Sequence, residues 1–234
     1  AAHSWVEGSV VDNKRIDTPN SSKRELAEAT NIEWFTINIY EVKKDFEGFL
    51  GFIKDSYRTK FSEVKKTLVR KEEFKIKNLG NYKNHKTSLA MQSLAPGVYM
   101  LELSVNGEVS RNSEDYLLVS DAKSAYKKID ENDSFKNQYL WINSENGKVL
   151  ANENLKIYEY VSGKPDIAKV VKLGADGTFV LPFTNKEDYA ATFLIRNENT
   201  GDSELKQLYN YRRSYNNYEN KDTNKAQVFL DRAM

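Results

Sequence analysis

The chain has 234 residues, 39% of them hydrophobic with 11 Phe, 14 Tyr and 3 Trp, which is enough to build packed cores despite 29% charged residues; the length suits one large domain or two modules of about 100 to 120 residues. Lys plus Arg (35) nearly cancel Asp plus Glu (34), and a net charge of +1 offers no field to gather nucleic acid or an anionic membrane. With no cysteine there is no disulfide, no thiolate metal site and no cysteine nucleophile or thioester.

No apolar run approaches the roughly 20 residues that span a bilayer, so no direct membrane insertion is expected. Ala1-Ala2-His3-Ser4 lacks the charged start of a signal peptide, and the expectation is that any export signal has been removed. Missing disulfides leave the compartment open, since periplasmic proteins often dispense with them.

In chain order, Ser22-Lys23-Arg24-Glu25 has the Ser-x-x-Glu form of a capping box and opens either a short helix through Ala29 or a strand through Glu25, Leu26 and Ala27. From Glu33 to Val42, Trp34 and Thr36 alternate with Phe35, Ile37 and Ile39, which predicts a strand. Phe46, Phe49, Leu50, Ile53 and Tyr57 then recur at three-and-four spacing between Lys44 and Arg58, predicting a short helix over an open edge or end of a sandwich, interrupted by Gly48 and Gly51. Val64 to Ile76 reads as the next strand. The Pro96-Gly97 turn, the alternating strand from Val98 and the Asn106-Gly107 turn follow, then a polar loop over Arg111 to Asp115 and a closing strand from Tyr116 to Ser120.

Asp121 to Asp133 is polar with lone apolar Tyr126 and Ile129, as in a connector. Strands are predicted at Gln138 to Asn143, Leu155 to Val161, Ala168 to Leu173, Thr178 to Phe183 and Tyr189 to Arg196, with turns at Asn146-Gly147, Ser162-Gly163 and Asp176-Gly177. Leu205 to Tyr211 would add another strand, and Asn216 to Lys225 is polar enough for a mobile loop. The fold expected is all-β: two tandem antiparallel β-sandwiches of fibronectin or immunoglobulin type, over 1–120 with the helical insertion near 44–58 and over 121–234.

Chemistry is hard to place. Tyr209, Tyr211, Tyr215 and Tyr218 with Arg212 and Arg213 form a candidate contact surface for sugars, single strands or a neighbouring domain. Asp176-Gly177 lacks the oxygen ligands of a calcium loop and reads as a hairpin turn, while Asn197, Glu198, Asn199 and Asp202 make a slightly richer oxygen cluster. His3 and His85 lie far apart without a relay partner, and Glu72-Glu73 and Glu187-Asp188 sit in charged contexts that suggest surface. No catalytic residue, cofactor site or metal site is assigned.

Three stretches resemble the macroglobulin-domain arrays of bacterial α2-macroglobulins, in particular the long forms of Bacteroidetes. Leu94-Ala95-Pro96-Gly97-Val98-Tyr99 with Tyr116-Leu117-Leu118-Val119-Ser120-Asp121 is similar to the "Leu-x-Pro-Gly-x-Tyr … Val-Ser" end of one sandwich. Asn146-Gly147-Lys148-Val149-Leu150, Leu155-Lys156-Ile157-Tyr158 and Gly174 to Pro182 resemble the module that follows, with Val149 where Pro is common. Ala226 to Met234 is similar to the lead-in of a signature continuing Tyr-Arg-Pro-Gly, so the chain is expected to be cut from a longer polypeptide.

The resemblance implies macroglobulin-type domains, MG2 among them, and a non-catalytic structural role in an extracytoplasmic protease-trapping protein, periplasmic or surface-anchored. In that family a cleaved bait segment triggers capture through a Cys-Gly-x-Gln thioester. This chain has no such motif, and no functional residue of the family carries over. The partners implied are neighbouring domains of the parent polypeptide and, through the whole protein, target proteases. The competing expectation is a ligand-binding or adhesive β-sandwich of a cell-surface protein.

Overall fold

The computed structural model describes residues 16–17, 23–29, 34–55, 59–75, 85–105, 108–131, 134–144, 146–161, 164–182 and 190–209. The first half holds β1 (Ile16–Asp17), β2 (Lys23–Ala29), β3 (Trp34–Val42), helix α1 (Phe46–Lys54), a 3-10 turn (Phe61–Glu63), β4 (Thr67–Lys75), β5 (His85–Met91), β6 (Gly97–Val105) and β7 (Glu108–Val119). The second holds β8 (Ala122–Glu131), β9 (Ser134–Asn143), β10 (Asn154–Val161), β11 (Lys164–Lys172), β12 (Thr178–Pro182), β13 (Ala190–Asn197) and β14 (Ser203–Tyr209).

Strands β1-β7-β6-β3-β4 form one sheet and β2-β5 a second; β11-β10-β13-β14 form a third and β12-β9-β8 a fourth. Among the described residues no ladder joins a strand up to β7 with one from β8 onward. Each half is a Greek-key sandwich of immunoglobulin or fibronectin type, with a helix in the first. Among the described residues every strand pairing is antiparallel except the short one of β1 with β7, Ile16 against Leu118.

Alternation builds the first core: Phe35, Ile37 and Ile39 of β3 meet Tyr99, Leu101 and Leu103 of β6, with Met91, Leu117 and Val119. The second core gathers Tyr139, Trp141, Leu155, Ile157, Phe179, Leu181, Phe193 and Ile195.

Several expectations are corrected. Of the helix and the strand left open for this stretch the structure takes the strand: Lys23–Ala29 is laddered to β5, and cross-strand pairing overrides a local cap signal. His85, read as lying between strands, begins β5. The supposed loop Arg111 to Asp115 lies inside β7, which is laddered to β6; pairing sets the strand where polar composition alone suggested a loop. The supposed connector Asp121 to Asp133 is mostly β8, an edge strand whose charges read as a linker because edge strands carry charge on their open side. The true connection is Ser120–Asp121.

Asp176-Gly177 does form a turn, with Gly177 at φ +72°, but no hairpin, because β11 and β12 belong to different sheets. The strand predicted from Val64 begins only at Thr67, and Val64 is buried beside α1.

Helix α1 is capped by Asp45, whose Oδ1 accepts from Gly48 N at 3.1 Å and whose Oδ2 accepts from Lys65 N at 2.8 Å, tying the helix start to the chain after the 3-10 turn. Gly48 permits that cap, since a Cβ there would stand 2.6 Å from the Asp45 carboxylate. The helix covers one end of the sheet, where β3 and β7 finish and β6 begins. It lies on the outer face of the β7-β6-β3-β4 sheet, against Val42, Val98, Met100 and Leu118, and its other side meets the second sandwich.

Candidate functional site

The densest set of contacts between the two halves is the joint between the sandwiches. On the outer face of the second sandwich Tyr158, Leu194 and Leu205 stand in one cross-strand row over β10, β13 and β14. They join Phe46, Phe49, Leu50, Phe61, Val98, Met100 and Leu118 of the first half in a single apolar cluster. The Phe46 and Tyr158 rings lie 5.1 Å apart at 52°. Phe49 and Leu50 are fully buried, so the helix is core on two sides at once.

Polar contacts close the joint beside this cluster. Asp202, 4% exposed, accepts at Oδ1 from Asp121 N (2.6 Å) and from Ser120 Oγ (3.0 Å), and at Oδ2 from Thr200 Oγ1 (2.6 Å). Ser144 donates its N–H (2.6 Å) and its hydroxyl (2.9 Å) to Asp121 O. A two-residue link has therefore both of its central backbone polar groups held by the second sandwich, and Ser120 is fully buried.

Arg196 lies in the row next to Leu194, its guanidinium carbon 4.7 Å from the Phe46 ring centre, while Nη1 donates to Gly201 O at 3.0 Å and Ser203 Oγ at 2.9 Å. Burial lowers its pKa, and the nearby Tyr158, Glu198, Glu41 and Asp202 pull it back up. Gly201, at φ +85°, brings the β13–β14 turn so close to the first sandwich that a Cβ would stand 2.5 Å from Pro96 O. Pro96 belongs to a second device: the Tyr99 hydroxyl donates to Ala95 O at 2.9 Å, the tyrosine corner of Greek-key sandwiches. The turn of one sandwich is thus seated on the corner of the other.

A polar patch lies farther out on the α1-bearing face. Glu102 Oε2 accepts from Asn38 Nδ2 and Tyr40 OH, each at 3.0 Å, and Glu114 is its cross-strand neighbour. Lys66 lies 4.0 Å from the centre of the Phe61 ring; burial lowers its pKa, opposed by Glu102 and Glu114. Burial and then Glu102 raise the pKa of Glu114, against Lys66.

Of the residues singled out in the sequence, Tyr209 ends β14, whereas Tyr211, Arg212, Arg213, Tyr215 and Tyr218 lie outside the described residues, as do His3, Glu187 and Asp188. Asn197 and Asp202 are buried and committed to turn and link: Asn197 Nδ2 donates to Glu153 Oε2, and its Oδ1 accepts from Asn199 N. Glu72 is paired with Arg70 at 3.0 Å. Among the described residues no three His, Cys, Asp or Glu side chains are grouped to hold a metal, and no helix is long and apolar enough to cross a membrane. Sequence reasoning missed Ser120, Arg196 and Gly201, and took Asp202 only as a weak oxygen ligand.

Neither a known protein family nor a curated protein matches the chain by sequence. Solved structures do match. A piece of native alpha-2-macroglobulin from Escherichia coli spanning domains MG0-NIE-MG1 superposes with a TM-score of 0.64 at 16% identity, over 87% of this chain and 64% of that one. A piece spanning NIE-MG1 gives 0.60 at 15% identity, over 87% of this chain and 98% of that one. A Salmonella alpha-2-macroglobulin mutant gives 0.58 at 15% identity, over 86% of this chain but only 12% of that protein. The chain therefore spans under two thirds of the first of these and a small part of the third. At such identities what is shared is the fold, that of macroglobulin-type sandwiches in tandem.

Proposed function

We propose that the chain is a non-catalytic structural segment of an alpha-2-macroglobulin-like, protease-trapping protein, with its sandwich boundary at 120/121 and an extracytoplasmic location. The observation that carries this reading is that the likeness extends over both sandwiches at once, covering 98% of a two-domain NIE-MG1 piece. A lone sandwich recurs in unrelated proteins, but a pair in a matching arrangement is a narrower likeness. We take the chain as the counterpart of that pair rather than of one containing MG2, and the Bacteroidetes assignment rests on the turn-and-strand motifs alone.

In this role the segment works by shape. A fixed joint holds two sandwiches at a set angle, and their outer surfaces pack on neighbouring domains of the parent. Target proteases are partners of the whole protein only. The test uses the whole encoded polypeptide incubated with trypsin: a stable complex retaining trypsin on size exclusion is expected, and the 234-residue chain alone should neither retain nor inhibit it. A whole polypeptide that trypsin merely degrades would remove the protease-trapping half of the reading.

A further inference from the structure

We propose that the two sandwiches are not independent domains but one cooperative folding unit, latched by the β13–β14 turn. Tandem sandwiches ordinarily fold alone and move relative to each other unless the interface between them is large and apolar. Here the interface is core. Phe46, Phe49, Leu50, Val98, Met100 and Leu118 are all at most 3% exposed, in one cluster with Tyr158 and Leu194 across the joint. Taking the second sandwich away would open the far side of α1 to water, and an exposed face of that kind is costly.

The latch has three contacts from a single turn. Gly201 abuts Pro96 of the first sandwich, Asp202 holds the N–H of Asp121 and the hydroxyl of Ser120, and Arg196 braces the turn while lying on Phe46 of α1. Each contact joins a residue of the second sandwich to one of the first or of the link. A substitution in the turn therefore acts on both sandwiches, although the residue belongs to only one. Nothing in this depends on protease trapping, so it stands or falls separately from the proposed function.

Hydrogen exchange followed by mass spectrometry on the full chain, over a urea series, reads the two halves separately through peptides from β6 and from β9 with β13. One shared midpoint is expected for both sets in the wild type. Asp202→Ala should cut protection by about tenfold or more in both sets alike, the order expected for losing a buried carboxylate's hydrogen bonds. Gly201→Val, which forces a side chain against Pro96, should act the same way and more strongly. Two separate midpoints in the wild type would overturn the proposal. So would an Asp202→Ala effect confined to the β9 and β13 peptides, since the turn would then serve its own sandwich only.

Discussion

Tyr99 shows how much one side chain in a recurrent position reports. Its hydroxyl spans back four residues to Ala95 O, across the Pro96-Gly97 turn, and fixes where the chain leaves one sheet for β6. Tyr99→Phe keeps the ring in the first core and removes only that bond, so stability should fall by about 1 kcal/mol in urea denaturation, with the m-value unchanged. Glu114 makes the opposite case. Partial desolvation and then the neighbouring Glu102 hold its folded-state pKa above the ordinary carboxyl range. A carboxyl raised in this way contributes stability below its unfolded pKa and loses it as pH rises through the folded one. Glu114→Gln, which mimics the protonated form, should therefore raise Tm at pH 7. The gain should vanish below about pH 4, where the wild-type carboxyl is itself protonated in both states. A gain that persists at pH 3 would point to packing instead of charge.

The elements differ in how far they could be read from sequence, and α1 shows why. Its residues announce it: Phe46, Phe49, Leu50 and Ile53 keep helical spacing, and Asp45 supplies the cap. What it packs on was hidden, because Tyr158, Leu194 and Leu205 stand more than 100 residues away and local patterns carry no information on such pairing. One signal was nevertheless present. Phe193-Leu194-Ile195 and Val98-Tyr99-Met100-Leu101 are apolar without alternation, the mark of strands buried on both faces, and both cross the joint region. The strands that were left ambiguous or misread, β2 in the first case and β5 and β8 in the second, are the polar ones, whose place is set by their ladders and not by their own composition. Because α1 is core to both sandwiches, Phe49→Ala should cost about 3–5 kcal/mol, the range for truncating a fully buried phenylalanine. Thermal unfolding should show the loss as one shifted transition; a change near zero would mean that the helix is not part of the core.

At the scale of the whole molecule the motifs that carried the family resemblance turn out to be fold devices. Leu94 to Tyr99 is a tyrosine corner, Asn146-Gly147 and Asp176-Gly177 are turns with glycine at positive φ, and each would serve any sandwich of this type. The short link between the sandwiches, with Ser120 buried, has a measurable consequence for a protein read as meeting proteases. Lys123, exposed at the start of β8, offers trypsin a bond next to the link. Cutting there requires the link and β8 to open, which the hydrogen bonds from Asp121 and Ser120 to Asp202 and from Ser144 to Asp121 oppose. When opening is fast relative to cutting, the rate follows the population of the open form. Limited trypsin digestion of the full chain should leave the Lys123–Ser124 bond among the last cut in the wild type. Asp202→Ala should speed that cut by about tenfold, the effect of losing roughly 1.4 kcal/mol of closure. If the wild type is nicked after Lys123 as fast as the Asp202→Ala variant, the link is open on its own and the carboxylate does not hold it.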